Sequence, residues 1–206
     1  MIKKLTVAIL TLFLITQTEI SPAINEYKLI KESNTLKVSV KTLDKKHTTK
    51  EYKEKVLEIL SLYPEHLQHR ILLALGEVIF TDELTFWQSG TYTPSRKRGQ
   101  GKIHLDIYNG LDSSSYLYSL VHELAHALDY SYEKTDRGRK LSDNQEWIKI
   151  YSTGILPSRY SKTNKTEGLA EAIMIYIITP ERLWASNKEM YKYVEKLFKE
   201  PNWPTD

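Results

Sequence analysis

Residues 116–130 read YLYSLVHELAHALDY, and the reading of this stretch decides the rest. Leu117, Leu120, Val121, Leu124, Ala125 and Leu128 recur every three or four positions, the spacing of one helix face. His122 and His126 stand four apart within it, so on a helix both imidazoles point the same way. Burying such groups without partners costs kilocalories, so they need a reason to be there. A single divalent cation supplies one, and imidazole nitrogen is a good zinc ligand at about 2.0–2.1 Å. Glu123 follows the first histidine directly, placed to act on a water beside the ion rather than to bind the ion.

A catalytic zinc takes three protein ligands and keeps one position for water. One peptidase pattern would put glycine and then a third histidine after His126, but Asp129 and Tyr132 occupy those places. Another uses a Gly-Thr-x-Asp segment, which the chain lacks. A glutamate on a later helix remains. The apolar stretch 165–178 offers Glu167 and Glu171, four apart and so on one face. Two such carboxylates repel each other unless a cation is near. One would ligate, and the other would accept an N–H from a ligand histidine.

The remaining sequence frames this pair of helices. The chain has 206 residues, 41% hydrophobic and 27% charged, a composition for one domain with its own core. Lys3 and Lys4, the apolar run 5–15 and Ser21-Pro22-Ala23 read as an export signal over 1–23. Its removal leaves a net charge of about +2, which argues against nucleic acid as a partner. Without cysteine there is no disulfide, thiolate site or lipid anchor. The expected product is a secreted monomer, from a Gram-positive bacterium, with no stable membrane insertion after cleavage.

Residues 24–34 read as a loose lead-in to a domain over 35–206. Leu36, Val38 and Val40 alternate as a strand, and Thr48 or Thr49 caps a helix running to about Leu62. Pro64 starts the next helix and Gly76 stops it. Glu77–Phe80 and Leu84–Trp87 read as short strands, Ser89–Gly101 as a mobile loop, and Ile103–Ile107 as a strand. Ser142 with Gln145 suggests a capping box opening a helix through Tyr151. A helix over 165–178 ends at Pro180, and a helix pair follows over 181–199. Helices outnumber strands without regular βαβ alternation, so the expected class is α+β. His47, His66, His69 and His104 lack ligand spacing.

Two separated motifs carry a resemblance. Residues 122–129 read HELAHALD, and Tyr160 stands seven residues before Glu167, which Ala170-Glu171 follows. In this the chain resembles the family of the anthrax lethal factor catalytic domain and the secreted Pro-Pro endopeptidases. The resemblance spans roughly residues 85–178. It implies a zincin-like single domain with a small mixed sheet, an HExxH helix and a second ligand-bearing helix. It implies a zinc metalloendopeptidase binding one zinc ion through His122, His126 and Glu167. Glu123 becomes the general base and Tyr160 the phenol facing the oxyanion. Glu171 becomes the partner of a ligand histidine, and Asp129 a structural residue or a support of the ligands. The family's two aromatics after the ligand glutamate are here Gly168 and Leu169, which implies looser packing beside the metal.

The expected partner is a protein or peptide substrate. Trp87 lies in the region that shapes the substrate site in the family, without establishing proline specificity. The strand bearing Ile103 and Leu105 is expected to bind an extended peptide along its edge. Arg96-Lys97-Arg98 reads as a solvated stretch of the loop. The alternative function is a zinc-binding module, toxin-like or adhesive, that lacks catalysis.

Overall fold

A computed structural model describes residues 36–41, 46–82, 89–107, 111, 115–135 and 138–204. The export signal, the lead-in, Trp87 and the strand expected over Leu84–Trp87 lie outside these residues. The elements run β1 (Lys37–Lys41), α1 (Thr49–Leu60), α2 (Glu65–Ala74), β2 (Leu75–Thr81), β3 (Gly90–Thr93) and β4 (Gly101–Asp106). They continue with α3 (Ser115–Thr135), α4 (Gln145–Ser152), α5 (Lys165–Ile178), α6 (Pro180–Ser186) and α7 (Lys188–Lys199). Short 3-10 turns at Leu141–Asp143 and Tyr160–Lys162 precede α4 and α5. The domain is α+β with one small mixed sheet, as expected.

Strand order is β1-β2-β4-β3. The first three strands are parallel, and β3 runs antiparallel to β4. The central strand β2 is covered on both faces, which is why Val78, Ile79 and Phe80 form an unbroken buried run. Glu77 crosses this sheet electrostatically. Its carboxylate meets Lys37 of β1 at 3.1 Å and Lys102 of β4 at 2.9 Å.

Helix α1 starts on a reciprocal cap. The Thr48 hydroxyl accepts from the Glu51 amide, and the Glu51 carboxylate accepts from the Thr48 amide at 2.6 Å. Tyr52, Val56, Ile59 and Leu60 form its buried side. Helix α3 is buried along most of its length, and the Tyr63 hydroxyl donates to the Val121 carbonyl at 2.8 Å. Among the described residues no helix is long and apolar enough to cross a membrane.

Four expectations need correction. Gly76 does not stop α2; Leu75 already has extended backbone, and β2 runs through Gly76. The glycine is needed there for contact, since a Cβ would lie 2.0 Å from the Gly99 carbonyl oxygen. Asn144, not Ser142, caps α4 by accepting from the amides of Glu146 and Trp147. Residues 90–93, expected as loop, form the edge strand β3 because Thr91, Tyr92 and Thr93 pair with β4. The strand bearing Ile103 and Leu105 is therefore interior. Both its edges are paired and both side chains are fully buried, so neither residue can line a peptide site. Among the described residues, the strand at the sheet edge beside β4 is β3.

Candidate metal centre

Helix α3 forms the floor of a cleft of about 680 Å³, walled by β3, the 160–162 turn and α5. The one-turn spacing of His122 and His126 brings their Nε2 atoms to 3.0 Å. Glu167 enters from the first turn of α5. That turn is held by Asn164, whose side-chain oxygen accepts from the amides of Thr166 and Glu167 at 2.9 Å each. Glu167 Oε2 lies 3.0 Å from His122 Nε2 and 3.2 Å from His126 Nε2.

Three candidate ligand atoms thus form a near-equilateral triangle, the only such metal-capable group among the described residues. Tetrahedral geometry with bonds of about 2.0–2.1 Å places ligand atoms roughly 3.3–3.4 Å apart, close to the triangle observed. The donor set also fits. His122 Nδ1 faces Glu171 Oε1 at 3.2 Å, so in the neutral ring that nitrogen carries the proton and Nε2 is an acceptor. Nε2 then confronts a carboxylate oxygen and a second imidazole nitrogen. An extra proton or a cation must stand between them. Without a cation the proton is held: burial works against charged His122, but the bonds to Glu167 and Glu171 outweigh it and lift its pKa to about 9. Burial likewise opposes ionised Glu167, yet the two histidines hold its pKa well below the ordinary value.

Glu171 stands one turn beyond Glu167. Burial opposes its ionisation, but the bonds from His122 and the Ser158 hydroxyl lower its pKa. Glu123 is only 6% exposed. Burial raises its pKa, while the charges of His126 and His122 pull it down. Gly90 lies directly over it: a Cβ there would come 2.9 Å from Glu123 Cγ and 3.0 Å from Oε1. Tyr160 is 55% exposed, with its ring centroid 5.7 Å from that of His122. Partial burial and the nearby Glu167 charge raise the pKa of its phenol, so it keeps its proton at neutral pH.

The structure therefore brings His122, Glu123, His126, Tyr160, Glu167 and Glu171 to one cleft. Asp129 also borders it, but hydrogen-bonds to Ser142. Gly168 does not loosen the site: Tyr151 fills the space, and a Cβ on Gly168 would lie 2.6 Å from its ring. Sequence reading missed Gly90, Tyr92, Tyr118, Tyr130 and Lys140 in the cleft wall, and Ser158 behind Glu171. Of these, only Tyr92 lies in a strand-prone run, Thr91-Tyr92-Thr93, too short between Gly90 and Pro94 to be read as a strand.

No protein-family profile and no curated protein matches the chain. Among solved structures the fold is similar to a crystal structure from Bacteroides caccae ATCC 43185, a protein to which zinc-binding metallo-peptidase function has been ascribed. Identity is 14%, coverage is 87% of this chain and 86% of that one, and the TM-score is 0.46. A likeness at that level carries no argument about function.

Proposed function

We propose that this chain is a secreted zinc-dependent endopeptidase of the lethal-factor-like kind. The observation that carries the reading is the convergence of His122, His126 and Glu167, with Glu123 buried beside them and the edge strand β3 next to it. The position of Tyr160 seven residues before Glu167, with its ring toward His122, supports the family. The composition of residues 1–23 supports export.

His122, His126 and Glu167 would hold the ion, and Glu171 would fix the ring of His122 through its Nδ1 proton. When bound, zinc supplies Lewis acidity that acidifies water and polarises a carbonyl. Glu123 takes the proton from the attacking water and passes it to the leaving amine; its raised pKa suits both roles. The Tyr160 hydroxyl donates to the oxyanion, an effect of about 3 kcal/mol for a well-placed donor. Strand β3, whose Tyr92 amide donates to the Glu123 carboxylate, is the sheet edge along which an extended peptide would lie.

A peptide library incubated with the protein, with and without a chelator, tests the reading. Cleavage that stops on chelation and returns with zinc is the expected result. Tight zinc binding without any cleavage would mark the chain as a non-catalytic binding module instead.

A further inference from the structure

The segment 141–147 touches both ligand-bearing helices. Toward α3, the Ser142 amide donates to Asp129 Oδ1 at 2.6 Å, and the Ser142 hydroxyl donates to Asp129 Oδ2 at 2.9 Å. Asp129 is 2% exposed and Ser142 0%, and Asp129 lies one residue short of a helical turn past His126. Toward α5, the contacts fall on consecutive residues of its first turn. Asp143 pairs with the Lys165 ammonium at 2.6 Å, the Trp147 indole donates to the Lys165 carbonyl at 3.0 Å, and Ser142 Oγ lies 3.3 Å from Thr166 Oγ1. Thr166 is the neighbour of Glu167.

An ionised Asp129 has only acceptors, so it orders the protons. Ser142 must direct its hydroxyl to Asp129, which leaves a lone pair on Oγ for the Thr166 hydroxyl. The chain then runs one way, from Thr166 through Ser142 to Asp129. Cooperative networks of this kind rigidify a site when every member is satisfied. Its ends lie beside Glu167 and within a turn of His126, so it spans the same two helices that the ion would bridge.

We propose that Thr166, Ser142 and Asp129 form a strut that sets the spacing of α3 and α5, and with it how tightly the triad holds its ion. These are positioning residues: none of them reaches the ligand atoms. The inference rests on the metal-binding reading above.

The test is zinc affinity by chelator competition, with the visible spectrum of the cobalt-substituted protein as a second readout. Thr166→Val keeps the side-chain shape and removes only the hydroxyl. It is expected to weaken zinc binding about tenfold and to shift the cobalt bands, in line with other residues that support metal ligands. Thr166→Ser restores the hydroxyl and is expected to return both readouts to within about twofold of wild type. Ser142→Ala should act in the same direction as Thr166→Val. Thr166→Val with wild-type affinity and spectrum, or a Thr166→Ser protein as weak as Thr166→Val, overturns the strut. If the wild-type chain binds no zinc, or if His126→Ala binds it equally well, the metal reading falls and the strut with it.

Discussion

Glu123 is positioned by what is missing above it. Gly90 presents only hydrogen where any other residue would press on the carboxylate. On the proposed mechanism, Gly90→Ala is expected to lower kcat about tenfold or more while zinc content stays at wild type, since Gly90 meets Glu123 and not His122, His126 or Glu167; metal analysis and steady-state kinetics check this. Glu123→Gln should also retain zinc and lose about 10²–10⁴-fold in rate, the usual weight of a proton-transfer residue. His122 yields a pH prediction. Before an ion binds, its pKa of about 9 lies above the ordinary 6.5. The proton must leave for the ring to ligate, so zinc affinity should rise by up to tenfold per pH unit and level off above about pH 9. In the metal-free protein the sign reverses. Charged His122 stabilises the fold fully below about pH 6.5, and that contribution is lost as the pH climbs through 9. Zinc titrations between pH 6 and 10 would show a flat profile if no proton were displaced.

At the scale of elements, α5 is a helix whose glycine serves a neighbour. Gly168 makes room for the Tyr151 ring of α4. Alanine gains about 1 kcal/mol of helix propensity there, but a Cβ 2.6 Å from the ring should cost more. Gly168→Ala is expected to destabilise by about 1–2 kcal/mol in denaturant melts, and Tyr151→Ala in the same chain should relieve the loss. The helices were legible from sequence because their signals are local. Apolar residues recur at helical spacing in 116–130, and Thr48 and Pro64 stand at the starts of α1 and α2. Strand β3 was not legible, because its three strand-forming residues sit among Gly90, Pro94 and the basic triplet, and its partner β4 decides the matter. For the site, the clustering of His122 and His126 could be read because one turn of helix dictates their spacing. The Ser158–Glu171 bond crosses between a loop and a helix, and no periodicity records it. Asp129 shows the same limit: its helical angle was readable, but its attachment to Ser142 was not.

For the molecule as a whole, the sheet carries its own acid sensitivity. Glu77 joins three strands through Lys37, Lys102 and the Ser39 hydroxyl at 2.7 Å. Burial works against its charge, yet these partners prevail and depress its pKa to about 2. Its contribution is complete above the ordinary value of 4.5 and disappears as the pH falls toward 2. With solvent screening the contribution is about 1 kcal/mol. Glu77→Gln should therefore lower the melting temperature at pH 7 and converge with wild type near pH 2; parallel melting curves across that range would refute the assignment.

Strand β3 is four residues long and gives way to Pro94. A polypeptide hydrogen-bonded along it can be gripped over only about 13 Å. Folded targets keep their own backbone groups paired, so if the proposed activity holds, such a grip would select for exposed tethers and interdomain connectors, and for a brief consensus rather than a three-dimensional epitope. Where that consensus lies inside a stable helix or sheet, the rate of cutting would follow how often the target opens there, and not the chemistry at the metal.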